Sequence, residues 1–156
     1  MTITELGTMG GLFAILTLIH FFVDWGLQTH SEAMIKHNHP WVRARHCAIY
    51  TASFLPLLLW CRMTWLPLLI SANILFWSHF AQDTYVSIYY WMLYIRRPPC
   101  MTEPTRTERG TFVPADPKAG FLQFIDTTLG KILMIVIDQV IHLLFLLPVA
   151  YMLLKH

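Results

Sequence analysis

The sequence predicts an all-α fold: an integral membrane four-helix bundle with a long cytoplasmic loop between its third and fourth helices. Three observations carry that expectation. Hydrophobic residues make up 56% of the 156 and charged ones only 13%, with a mean hydropathy of +0.51, whereas soluble domains run at about 25% charged. Long apolar runs alternate with polar connectors, and a bilayer needs roughly 20 apolar residues per helical span. Finally, nine of the eleven Lys and Arg fall within 29–45 and 96–131, the asymmetry that orients a multi-span protein. At this length one transmembrane domain, 1–156, is the natural count.

The first span runs over about residues 10–27, opened by Gly10 and Gly11 and closed by Trp25 at an interface. No Lys or Arg precedes it, so it lacks the basic start of a cleavable signal and is expected to be retained. A polar connector, about 29–45, leads to a second span of about 46–62 in which Pro56 introduces a kink. A tight turn at Cys61 to Thr64 precedes the third span, about 65–95. Its helix is expected to continue through the aromatic run Tyr85 to Tyr94, an interfacial belt, until Arg96, Arg97, Pro98 and Pro99 stop it. The loop of about 96–130 is rich in Pro, Thr and charge, and its end, Ala119 to Leu129, suits an amphipathic helix on the membrane. The last span is about 131–154, before the terminal His156. The positive-inside rule places both connectors in the cytoplasm and both termini outside it.

A polar stripe interrupts the apolar pattern. His20, Asp24 and Gln28 lie four apart in LIHFFVDWGLQTH and share one helical face. The spacing recurs as His79 and Asp83, and as Asp138 and His142. Asp24, Asp83 and Asp138 are the only acidic residues in long apolar runs, and each has a His one turn away. With eight His in the chain, a given Asp gains such a neighbour by composition about one time in five, so three of three is about a one-in-a-hundred coincidence. Intramembrane Asp and His are costly and mark function. A rise of about 1.5 Å per residue puts all three pairs, with His46 at the start of the second span, in the cytoplasmic half.

Four His and three Asp exceed what one metal ion needs and suit two. His20, Asp24, His46, His79, Asp83, Asp138 and His142 are the expected ligands, with Asp24, Asp83 and Asp138 as the catalytic carboxylates that bridge ions or act as base. Imidazole and carboxylate suit zinc first, with manganese and iron also compatible. Such an ion lowers the pKa of a bound water to about 7 and makes a hydroxide nucleophile available at neutral pH. Gln28, Gln82 and Gln139 lie within a turn of these residues and are placed to orient ligands or bind substrate. Arg43, Arg45, Arg96 and Arg97 are simplest as positive-inside anchors, with an anion-binding collar as the sharper reading. His30, His37 and His39 read as solvated. Cys47 points about 100° away from His46 on a helix and reads as packing; Cys47, Cys61 and Cys100 form neither a disulfide framework nor a thiolate zinc motif. The substrate class is a lipid-linked or amphipathic phosphoester, ester or amide, the partners are the bilayer and a second copy of the chain, and no nucleic-acid motif is present.

The runs HFFVDWGLQTH, HCAIYT and DQVIHLL resemble the HxxxD…LQ, H…YT and DQxxH signatures of a family of small bacterial and phage membrane proteins defined only as a domain of unknown function. A looser likeness, to inner-membrane metal-dependent hydrolases with His/Asp pairs on membrane helices, implies hydrolase chemistry. Two other readings of the pairs stay open: interhelical hydrogen bonds that glue the bundle, and a small proton- or ion-coupled transporter component.

Overall fold

Helix starts follow from local sequence. Thr2 accepts from the Glu5 N–H, while the Glu5 carboxylate accepts from the Thr2 N–H, and this reciprocal cap opens α1 (Ile3–Phe21). Thr29 and Glu32 repeat the device at α2 (His30–Ile35). Pro40 sits in the first turn of α3 (Pro40–Trp60), where its missing N–H costs nothing. The chain then turns with Arg62 at φ 54° and enters α4 (Trp65–Gln82). The helices α5 (Val86–Trp91), α6 (Pro99–Thr102), α7 (Pro117–Asp126), α8 (Thr128–Leu144) and α9 (Leu146–Leu154) follow, with a two-stranded antiparallel hairpin between α6 and α7. Its strands are β1 (Thr105–Arg106) and β2 (Phe112–Val113). This computed structural model describes residues 1–108 and 111–155 and is 78% helical. What the sequence suggests for Arg109, Gly110 and His156 lies outside the described residues.

Three helices depart from the expected runs. After Phe21, α1 widens into a π-helical turn, Phe22–Gly26, which carries Asp24. The third span does not continue to residue 95. It ends at Gln82, because Tyr85 takes a left-handed conformation, φ 60°, that breaks the hydrogen-bond ladder. The last run is divided at Phe145 into α8 and α9, with Pro148 in the first turn of α9. The amphipathic segment near Ala119 is helical, as α7.

The chain forms two compact units. In the first, Met1–Thr84 with Ile141–His156, α1 packs on α3 and α9, and α4 packs on α3 and α9, so four helices close a ring. Leu16, Tyr50, Phe54, Leu58, Leu75 and Val149 fill its apolar core. In the second, Tyr85–Val140, the core is Ile88, Met92, Met101 and Phe121. There α6 and α7 approach so closely that a Cβ on Gly120 would lie 2.0 Å from the Cys100 carbonyl oxygen, which only glycine permits.

Two stretches are long and apolar enough to cross a membrane, Ile3–Gly26 and Thr128–Leu154. Only 17% and 22% of their apolar windows are buried. Membrane association rests on these two. The start of α3, with Arg43, Arg45 and His46, and the Ser71, Asn73, Ser78 and His79 of α4 keep those helices more polar.

Candidate metal centre

The first unit gathers its polar residues at one place. Asp24 comes from the π-helical turn, Lys36 from the residue that ends α2, His46 and Tyr50 from α3, and His79 and Asp83 from the end of α4. His20, Asp24, Lys36, His46, His79, Asp83 and His142 are all buried, none more than 7% exposed. A π-helical turn inside an α-helix is a common mark of a functional site. Here it carries Asp24, four residues after His20.

At the centre, Asp24 Oδ1, His46 Nε2 and His79 Nε2 form a triangle. His46 Nε2 lies 3.1 Å from Asp24 Oδ1 and 2.9 Å from His79 Nε2, and His79 Nε2 lies 3.5 Å from Asp24 Oδ1. Ligand atoms around a tetrahedral ion with bonds of about 2.0–2.1 Å stand roughly 3.3 Å apart, so these edges bracket what one ion would require. Protons fit less well. A neutral imidazole has one N–H, so a His46 Nε2 proton given to Asp24 leaves that nitrogen nothing to accept with from His79. One proton serves one edge of the triangle, whereas one cation serves all three corners.

Asp83 adds a fourth donor atom, the second oxygen. Its Oδ2 lies 3.8 Å from His46 Nε2 and 3.6 Å from His79 Nε2 and makes no hydrogen bond. Its Oδ1 lies 2.8 Å from the Lys36 ammonium, which also stands 3.5 Å from Asp24 Oδ1. The donor set therefore fits a single divalent ion held by two imidazoles and a carboxylate, with Asp83 alongside.

His20 and His142 take another part. His20 Nδ1 is 3.0 Å from the Tyr50 hydroxyl, and the Tyr50 ring stacks on His79 with centroids 3.9 Å apart. His142 meets the His79 ring at 4.5 Å and the His20 ring at 5.5 Å. These rings hold His79 in orientation, a role that its Nδ1, buried without a hydrogen bond, does not fill. Asp138 belongs to the second unit, half-buried, and its Oδ2 accepts from Gln139 Nε2 at 3.3 Å.

The residues expected around the ligands also separate. Gln82 is buried with neither end of its carboxamide hydrogen-bonded, and Gln28 Nε2 is likewise without a partner. Arg43 is buried, donating to the carbonyl oxygens of His37 at 3.0 Å and Lys36 at 3.4 Å, its guanidinium 4.4 Å from the centre of the Phe80 ring. Arg45 pairs with Glu32. Both are thus engaged within the fold, while Arg96 and Arg97 are exposed in the second unit.

Two members escaped the sequence. Lys36 reads there as a connector charge, and only the inward turn at the end of α2 reveals it. Cys47, which helical spacing turns away from His46, is buried with its sulfur within 4.8 Å of ligand atoms of His79 and Asp83. The tyrosine in HCAIYT was a signal of a kind, since Tyr50 lies one turn beyond His46 on the same face.

A family model matches residues 12–156, from before His20 to beyond His142. The chain belongs to DUF3307, a family of proteins of unknown function. Most of the chain, and every residue of the cluster, lies within the DUF3307 match. No curated protein and no solved structure matches the chain.

Proposed function

We propose that this DUF3307 protein is a membrane-embedded, metal-dependent hydrolase. The observation that carries the reading is the triangle of Asp24 Oδ1, His46 Nε2 and His79 Nε2, with edges of 2.9 to 3.5 Å. A divalent ion there, zinc by preference, supplies Lewis-acid activation of water at neutral pH. The chain's own groups supply the rest. Asp83 Oδ2, beside both imidazoles and without a hydrogen bond, is placed to take a proton from the attacking water. The stacked Tyr50 and the edge of His142 fix the His79 ring. Gln82 has a donor and an acceptor to offer a substrate's polar group.

The substrate class is an amphipathic or lipid-linked phosphoester, ester or amide, because the site lies on helices whose outer faces are apolar. Leu18, Phe22, Trp25, Trp41, Trp60 and Trp65 are all exposed. In this reading the four packed helices sit as a bundle in a bacterial inner membrane, with both Lys- and Arg-rich connectors cytoplasmic and both termini outside. The protein purified in detergent micelles should hydrolyse at least one of the three ester or amide classes, lose that activity to a chelator and regain it with zinc or manganese. His79→Ala should be inactive while still folded. Hydrolysis that survives exhaustive chelation would refute the metal mechanism.

One observation favours a second reading. Lys36 compensates two buried carboxylates, as it would in an ion-pair network that only holds helices together. That reading predicts no hydrolysis and no metal uptake, with substitutions felt as loss of folding. Ion flux in proteoliposomes, sensitive to Asp24 and Asp83, would instead indicate transport.

A further inference from the structure

A cluster this rich in carboxylate and imidazole suggests two ions. The positions of its oxygens point elsewhere. Both carboxylates reach in two directions: Asp24 Oδ1 faces the imidazoles at 3.1 and 3.5 Å and the Lys36 ammonium at 3.5 Å. Asp83 turns Oδ2 toward the imidazoles at 3.6 and 3.8 Å and Oδ1 toward the ammonium at 2.8 Å. In dinuclear hydrolytic sites, carboxylates bridge two cations about 3.5–4 Å apart. Here the same bridging pattern joins the imidazole pair on one side and a lysine on the other.

We infer that Lys36 is a built-in second cation, which limits the site to one metal ion and takes the electrostatic role that a second ion plays elsewhere. The inference rests on the metal reading of the triangle above. Its structural support is the way the chain holds Lys36 in place. The residue ends α2, its N–H bonded to the Glu32 carbonyl at 2.9 Å. Its own carbonyl and that of His37 are gripped by the buried Arg43 guanidinium. The Lys36 side chain is 9% exposed, so its ammonium is removed from water, where a compact point charge acts strongly on neighbouring carboxylates. An ammonium has no open coordination position, so it bridges carboxylates without offering a place for a second water. It also engages Asp83 Oδ1 and leaves Oδ2 beside the imidazoles without a hydrogen bond.

The test is the number of ions bound, measured by elemental mass spectrometry and by titration with manganese followed by electron paramagnetic resonance. The native protein should bind one ion per chain and show an uncoupled manganese spectrum. Lys36→Gln, which shortens the side chain and removes the charge while keeping a polar end, should bind two ions with a spin-coupled spectrum, and Lys36→Arg should remain at one. Two coupled ions in the native protein would overturn the inference whether or not any variant folds. One ion in both the native protein and a folded Lys36→Gln would overturn it too, while leaving the metal site standing. No ion in the native protein under any loading condition would remove the metal reading and this inference together.

Discussion

The two units of this chain solve burial in opposite ways. The second encloses Ile88, Met92, Met101 and Phe121, an apolar core that needs nothing from polar chemistry. The first surrounds Asp24, Lys36, His46, His79 and Asp83 with helix, and among the described residues every buried polar or charged side chain, His20, Arg43, Ser71, Gln82 and His142 included, belongs to it. Burying charge destabilises unless partners and hydrogen bonds offset it.

Substitutions that separate the units sharpen this contrast. The largest effect belongs to His46→Ala, which removes a corner of the triangle; bound metal should fall to background by elemental analysis, with the second unit's amide protection unchanged. Met101→Ala should do the reverse. Emptying a fully buried methionine site should destabilise the second unit by about 2–5 kcal/mol, read by hydrogen exchange over α5 to α7, while metal content stays at the native level. Tyr50→Phe keeps the ring that stacks on His79 and loses only the hydroxyl bonded to His20. It should lower thermal stability by about 0.5–1.5 kcal/mol with metal retained. The smallest effect is expected from Asp138→Asn, since the triangle is complete within the first unit; isothermal titration should find its metal affinity unchanged.

Much of the first unit could be read before the structure. The helical runs, the turn at Cys61 to Thr64 and the approach of His79 to Asp83 one turn on all follow from periodicity, which is local. What stayed hidden depends on contacts between distant residues. The π-helical turn that carries Asp24, its meeting with His46 and His79, and the contact of His20 with Tyr50 do not follow from helical spacing. The break at Tyr85 needs a positive φ that nothing in the aromatic run announces, since the usual marker, glycine, is absent. Lys36 lies in a polar connector where lysine normally stays in water. Its burial becomes favourable only when carboxylates from two other segments, Asp24 and Asp83, arrive to meet it.

X-ray absorption spectroscopy of the zinc-loaded protein reads the metal's ligands themselves. The first coordination sphere should lie at about 2.0–2.1 Å and contain two imidazoles, visible by their multiple-scattering signature, and carboxylate oxygen, with one imidazole lost in His46→Ala. A folded protein whose zinc shows no imidazole scattering, or an unchanged spectrum in His46→Ala, would contradict the metal reading.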